Sequence, residues 1–243
     1  TGWTVSDAEP LIPQTALQGM SKPMVFDGID DSVDLASTTA LCAADGVCSF
    51  SLWVSTLKND GSTYHRFLGG PDNGMKYVGT YNGNLTWYIA GGGTTSLSGS
   101  DIADGIFHHI VCTYNNGSRK MYIDGSLDAS LDTNTGICNI EEIGAQSDGS
   151  EEFEGILQEI SVWSVELSLA EIQELFNDGV ALDAITHSKA IPTGTGTDYL
   201  EGYWRNTGTG TWTDISQNSN TGTPAGSPDT ILLPEGTTSG KDI

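Results

Sequence analysis

Residues 153–175 place the strongest constraint on what this chain can fold into. They read Phe-Glu-Gly-Ile-Leu-Gln-Glu-Ile-Ser-Val-Trp, then Ser-Val-Glu-Leu, then Ser-Leu-Ala-Glu-Ile-Gln-Glu-Leu. Two periods meet in this stretch. Ile156, Ile160 and Val162 lie two or four apart and share one face of an extended segment, with Gln158 between them, while Leu157 and Trp163 point the other way. The period then becomes helical. Ser168, followed three residues later by Glu171, forms a capping box in which hydroxyl and carboxylate each satisfy one orphan amide. Ile172, Leu175 and Phe176 stripe one side, and Gly179 supplies a stop. The spacing predicts a buried strand that feeds one short α-helix near residues 168–178.

Upstream, the pattern is period two throughout. Met24 to Phe26 and Ser32 to Leu35 flank the acidic turn Asp27-Gly28-Ile29-Asp30-Asp31 and read as a hairpin-like pair. Cys48, Phe50, Leu52 and Val54 alternate with Ser49, Ser51 and Trp53. Strands follow at Tyr64 to Leu68, Met75 to Tyr81 and Leu85 to Ile89, the last two joined by Asn82-Gly83, a strong hairpin signal because both residues tolerate positive φ. Gly91 opens a loose loop that runs to Gly105. Phe107 to Tyr114, Lys120 to Ile123 and a weaker Ile137 to Ile143 complete the set, with turns at Asn116-Gly117 and Asp124-Gly125. Short strands at this spacing, without strand–helix–strand alternation, predict an all-β fold: a two-sheet antiparallel β-sandwich. Residues 1–22 read as an irregular leading segment, 23–179 as the sandwich, 180–198 as a linker, and 199–243 as an add-on or permuted β-segment with an extended tail.

Charge narrows the partners. Thirty-two acids against nine bases give a formal charge of −23. No basic stripe exists to displace counterions, which excludes nucleic acid and argues against anionic membrane surfaces. The same charge suits divalent cations and a salty medium. No apolar run approaches the ~20 residues that span a bilayer, so membrane insertion is not expected. Thr1 fits a processed start, and no signal-peptide pattern opens the chain. Cys42 and Cys48 flank a short loop and are placed to pair; Cys112 alternates with Ile110 and Tyr114 toward a core, where Cys138 is a second potential partner. No pair has the spacing of a zinc site.

Six motifs in order carry a family resemblance: Phe26-Asp27-Gly28-Ile29-Asp30-Asp31 with Val33, Phe50-Ser51-Leu52-Trp53-Val54, Phe107-His108-His109-Ile110-Val111, Tyr122-Ile123-Asp124-Gly125, Phe153 to Ile160, and Leu167-Ser168 with Ala170-Glu171-Ile172. Over about residues 22–179 the chain resembles laminin-G-like, concanavalin A-like lectin/glucanase domains. The resemblance implies a jelly roll. Tyr199 to Thr223, with Gly202-Tyr203-Trp204, looks like the block that usually begins such domains. The arrangement as a whole is similar to laminin-G-like proteins of marine phage virions, which implies an extracellular or virion-associated setting and other virion proteins as partners.

Candidate sites follow. Asp27, Asp30 and Asp31 offer hard oxygens on a Gly-containing turn, which suits calcium, against the plainer reading of a turn whose carboxylates bond their own backbone. The resemblance implies a structural calcium here, aided by an acidic residue of the closing strand. Gln158 occupies that place, so Glu159 is the other candidate ligand. His108 and His109 are adjacent on a strand, point to opposite faces and are expected to be structural. Tyr64, His65, Asp72, Asn73, Tyr81, Asn82, Trp87 and Tyr88 are candidates for sugar binding, since rings stack on sugar C–H faces and amides or carboxylates orient hydroxyls. About half of them are expected to be core or cross-strand pairs. Glu152 and Glu154 share a face but begin a strand in an acidic loop, and Glu141 and Glu142 point oppositely, so neither pair reads as glycosidase acid and nucleophile. No nucleophile triad or phosphate loop is visible. The expectation is a non-catalytic module that binds a glycan, a host-surface receptor or another protein, with a polysaccharide-active enzyme or a purely structural virion component as alternatives.

Overall fold

The structure is a computed structural model that describes residues 23–35, 46–61, 63–70, 75–89, 95–132, 140–146, 150–190, 198–206, 212–216 and 218–230. Sixteen strands run in chain order: β1 (Met24–Asp27), β2 (Ser32–Leu35), β3 (Val47–Ser55), β4 (Tyr64–Gly69), β5 (Met75–Tyr81), β6 (Asn84–Ile89), β7 (Thr95–Asp101), β8 (His108–Asn115), β9 (Ser118–Ile123), β10 (Ser126–Asp132), β11 (Glu142–Ile143), β12 (Glu154–Trp163), β13 (Leu200–Asn206), β14 (Trp212–Asp214), β15 (Gly222–Ala225) and β16 (Asp229–Thr230). One helix, α1 (Leu169–Phe176), follows β12. All described pairings are antiparallel, and fourteen strands form one continuous path, β10-β9-β8-β3-β12-β13-β14-β15-β2-β11-β4-β5-β6-β7, with β1 joined to β12 and β16 off it. The path folds over on itself. β10, β9, β8, β3, β12 and β13 make one layer, and β2, β11, β4, β5, β6 and β7 make the other. Asp128 of β10 bonds Ser100 of β7 through the backbone amide (2.9 Å) and the hydroxyl (2.6 Å), which joins the far edges.

The inward faces fill the space between the layers. Phe50, Leu52, Ile110 and Cys112 oppose Phe67, Val78, Leu85 and Trp87 in one apolar core. Cys112 carries its thiol into this core. Cys48 is disulfide-bonded, and both Cys42 and Cys138 lie outside the described residues.

Several expectations change. β1 and β2 are not a hairpin: β1 pairs with β12 and β16, whereas β2 pairs with β11 and β15. The acidic turn between them carries the chain from one sheet to the other, because Phe26 and Val33 reach the core from opposite layers. The stretch expected as a loose loop contains β7, and β10 was not anticipated. Of residues 180–198, the described part is packed rather than linker-like, with Ala181, Ala184 and His187 buried. β13, β14 and β15 integrate into the same sheet and bridge β12 to β2. Residues 1–22 and 231–243 lie outside the described residues.

The expected helix is present. Ser168 caps it with both halves of the capping box, and Asn177, in the left-handed conformation at φ 45°, ends it two residues before Gly179. Ile172 and Leu175 press onto Trp163 and Val111 in a second apolar cluster, so α1 covers the outer face of the first layer.

The strict alternation expected in β12 breaks. Leu157, Ile160 and Val162 all face the core, so one residue is extra between them. The extra residue is Glu159, at φ 52°. The register slip lies between Gln158 and Ser161, which is a β-bulge. The bulge lets one strand serve two partners on the same side: residues 154–157 pair with β1, and 160–163 pair with β13. A non-glycine residue at positive φ costs roughly 1 kcal/mol or more. Glu159 offsets that cost with buried polar bonds. Its carboxylate accepts the Tyr203 hydroxyl and pairs with Arg205 Nε at 3.2 Å, while Arg205 Nη1 reaches Asp183 at 3.2 Å. Burial, and then the charge of Glu159, holds the Tyr203 phenol far above its ordinary pKa, so it stays a donor. Removing one partner of a buried pair strands the other, so Glu159→Ala is expected to lower unfolding free energy by about 3 kcal/mol. Glu159→Gln, which can still accept from Tyr203, should lose less. Urea denaturation of the two variants measures both values.

Candidate functional site

The two layers differ on their outer faces. The first is covered by α1 and by residues 180–190. The outer face of the second layer presents tyrosines. Its register brings Thr223, Asp34, Glu142, Gly69, Tyr77, Tyr88 and Ser96 into one cross-strand row. A second row is Tyr64, Tyr81, Asn84 and Asp101. Alternation explains the segregation: Val33, Val78, Trp87 and Leu97 point into the core, so their strand neighbours Asp34, Tyr77, Tyr88 and Ser96 point out.

The rings touch in series. Tyr81 lies 4.5 Å from Tyr64, Tyr64 lies 5.2 Å from Tyr77, and Tyr77 stacks on Tyr88 at 5.6 Å with planes 3° apart. Tyr77 is buried by its neighbours; Tyr81, 38% exposed, is the open end of the strip. Burial, and then the neighbouring Tyr64, raises the Tyr77 phenol well above its usual value. The Arg66 guanidinium sits 4.8 Å from the Tyr77 ring centre and is held by the Glu151 carboxylate. Gly79 separates Tyr77 from Tyr81 on β5 and permits this spacing, since a Cβ there would lie 2.1 Å from the His65 carbonyl oxygen. At the open end, Asn82 forms the tight turn with Gly83 at φ 52° and 76°, and Asn84 donates to the Asn82 carbonyl at 3.0 Å. The strip therefore ends in amides and the Asp101 carboxylate, groups that hydrogen-bond hydroxyls.

Of the expected sugar-binding residues, the structure brings Tyr64, Tyr81, Asn82 and Tyr88 onto this face. Trp87 is fully buried and packs edge-on against Phe50 at 6.2 Å and Tyr114 at 6.4 Å, so it belongs to the core. His65 is buried too: Nδ1 meets the Glu152 carbonyl at 2.9 Å and Nε2 meets Asp60 at 3.3 Å, which makes it a bracket between loops. Asp72 and Asn73 lie outside the described residues. The sequence reading missed Tyr77, Arg66 and Glu151. Tyr77 was within reach, since it alternates with Tyr81 around Gly79. The Arg66–Glu151 pair spans 85 residues and leaves no local signal.

The acidic turn gathers Asp27, Asp30 and Asp31, with one carboxylate oxygen of each within 4.8 Å of the others. Asp31 accepts the amides of Asp27 and Ser227, both at 2.9 Å, and Asp27 accepts Ile29 at 2.8 Å. These bonds fix the turn with three carboxylates converging, a donor set that suits a hard divalent cation completed by water. Gln158 and Glu159 do not join them. Asp27 pairs with Glu154, so Gln158 lies four residues further along β12, roughly 13 Å away at the usual strand rise. Gln158 is buried opposite Trp53, and Glu159 is taken by Tyr203 and Arg205.

The carboxylates considered for catalysis are also placed. Glu154 is bonded to Lys58 at 2.6 Å, and the Glu152 carbonyl accepts from His65. Glu142 sits opposite Asp34 on the tyrosine face, and burial, followed by the neighbouring Asp34 charge, pushes its carboxyl up against a Ser32 hydrogen bond.

A family profile described as the concanavalin A-like lectin/glucanases superfamily matches residues 27–173. The chain belongs to this superfamily. A search of curated proteins returns no match. Solved structures share the fold. A Bacteroides ovatus protein, provisionally described as carbohydrate-binding, superposes with TM-score 0.62 at 14% identity over 88% of this chain and 61% of its own. The receptor-binding domain of botulinum neurotoxin C/D mosaic serotype gives 0.51 at 20% identity, over 64% and 42%. The binding domain of botulinum neurotoxin DC, in complex with rat synaptotagmin II, gives 0.50 at 18% identity, over 64% and 42%. The chain thus spans about three fifths or less of the length of these neighbours. At such identities the likeness concerns the fold. Within this concanavalin A-like sandwich the binding surface must be read from the chain's own residues.

The two histidines take structural roles on opposite faces. His108 Nδ1 meets Asp124 at 2.8 Å, and that hydrogen bond raises its pKa. His109 lies under Trp53 and Phe176 and bonds Ser51 at 2.8 Å; burial pushes it down to about 3. Between the ordinary value of 6.5 and about 3, only unfolded His109 takes a proton, so stability falls with pH by up to about 1.4 kcal/mol per unit. His108 acts oppositely: its contribution is full below 6.5 and is lost as pH rises through its raised value. Denaturation from pH 8 down to about 4 should show His109→Gln with a shallower acid-side slope than the parent. An identical slope would remove His109 as its source.

Proposed function

We propose that this chain is a non-catalytic carbohydrate-binding module whose ligand lies along the tyrosine strip of the second sheet. The observation that carries the reading is the contiguous run Tyr81–Tyr64–Tyr77–Tyr88 on a face that no described helix covers, ended by Asn82, Asn84 and Asp101. Rings stack on sugar C–H faces, and the rim orients hydroxyls. The superfamily and the Bacteroides neighbour support it. The disulfide at Cys48 supports an extracellular or virion-surface setting, where the module serves attachment to a host glycan or receptor. Tyr81→Ala and Tyr64→Ala are each expected to weaken glycan binding at least about tenfold in titration calorimetry without changing the fold. Steady release of shortened oligosaccharide by the parent protein would defeat the non-catalytic reading.

One observation favours the enzymatic alternative. Glu142, with its raised pKa, faces Asp34 on the same surface, and cross-strand neighbours approach the roughly 5–5.5 Å that retaining glycosidases use. Loss of any product release in Glu142→Gln would identify that pair as its source.

For the acidic turn the proposal is a structural calcium held by Asp27, Asp30 and Asp31. If only the folded state binds the ion, calcium at about a hundred times its dissociation constant adds ~2.7 kcal/mol, and the melting temperature rises accordingly. EDTA should reverse the gain and Asp30→Asn should reduce it; a melt indifferent to calcium would leave the turn held by its own amides.

A further inference from the structure

The proposed binding face has aromatic rings, amides and carboxylates, but no available cation among the residues whose side chains are described. Of the nine Lys and Arg in the chain, six have described side chains. Lys58 is paired with Glu154 at 2.6 Å, Lys120 with Glu166 at 2.7 Å and Lys189 with Glu171 at 3.1 Å. Arg205 is shared by Glu159 and Asp183. Arg119 is buried in the core, where it donates to the Trp87 carbonyl at 3.5 Å. Arg66, the one cation on the tyrosine face among the described side chains, is buried, stacked on Tyr77 and neutralised by Glu151.

The same face carries Asp34, Glu142 and Asp101 in its two rows, and the chain as a whole has a formal charge of −23. An acidic sugar brought to this surface meets like charge and finds, among the described side chains, no open guanidinium or ammonium to bind its carboxylate or sulfate. A neutral sugar meets what it needs: ring faces, amide donors and carboxylate acceptors. We infer that the tyrosine strip selects neutral glycans and rejects sialylated, uronic or sulfated forms of the same core, with Glu151 withholding Arg66 from acidic ligands. This selectivity rests on the tyrosine strip being the binding surface.

The test uses the full chain and a printed panel of neutral oligosaccharides beside the same cores carrying sialic acid, a uronic acid or sulfate. At about 0.02 M salt the acidic forms are expected to bind at least about tenfold more weakly than their neutral cores, and the gap should narrow at about 0.5 M, where repulsion is screened. Glu151→Gln removes the negative charge that neutralises the buried Arg66 guanidinium and is expected to raise the acidic-to-neutral binding ratio several-fold, with a melting curve confirming that the variant is folded. Acidic forms that bind as well as neutral ones at low salt would overturn the selectivity while leaving the strip, read by Tyr81→Ala, as the binding surface. A folded Glu151→Gln with an unchanged ratio would overturn the role of Glu151. Binding of neither class would overturn the strip and the selectivity together.

Discussion

The bulge at Gln158 and Glu159 is the constraint on which the rest of the architecture depends. On that side of β12 the partner changes at the bulge. With it, the first half of the strand holds β1 and the second half holds β13. From β13 the path continues through β14 and β15 into β2, so the second sheet is connected to the first through the half-strand that the bulge sets free. The energetic arrangement is local. A carboxylate at positive φ is costly in isolation, and it becomes acceptable because a tyrosine and an arginine from the neighbouring strand are buried against it.

That connection also decides which face is left for a ligand. The first sheet loses its outer face to α1 and the segment after it, where Trp163, Ile172, Leu175 and Tyr203 make a second apolar layer. The second sheet has no such cover among the described residues. Its outward positions hold tyrosine, serine, threonine and carboxylates, chemistry that tolerates water on one side and a flat ligand on the other. The proposed binding strip thus lies on the second sheet, while the capped helix at the end of β12 packs on the first.

Much of this was legible in the sequence because it depends on neighbours in the chain. Asn82-Gly83, Asn116-Gly117 and Asp124-Gly125 all adopt the positive φ pairs that their chemistry suggests, so three turns stand where they were expected. The Ser168–Glu171 box and the alternation of β3 are local for the same reason. The bulge was not legible. Period two is indifferent to a single inserted residue, and Gln158 and Glu159 can be told apart from an ordinary pair only by the partners that meet them. The calcium set failed on the same point: Asp27, Asp30 and Asp31 are neighbours and converge, whereas Gln158 and Glu159 were joined to them by analogy and lie elsewhere on the strand.

By itself the sequence determined the class of fold, the placement of most strands, the capped helix and the acidic character of the chain. Those follow from side-chain alternation, turn chemistry and charge, which act over a few residues or over the chain as a sum. Tertiary structure alone decided that Trp87 and His65 are interior while Tyr77 links Tyr64 to Tyr88, that Arg66 is neutralised from 85 residues away, and that β13, β14 and β15 close the sandwich. The reason is physical: which side of a strand is wet, and which charge finds a partner, depends on the sheets that stack against it, and that information resides in register and packing rather than in the strand.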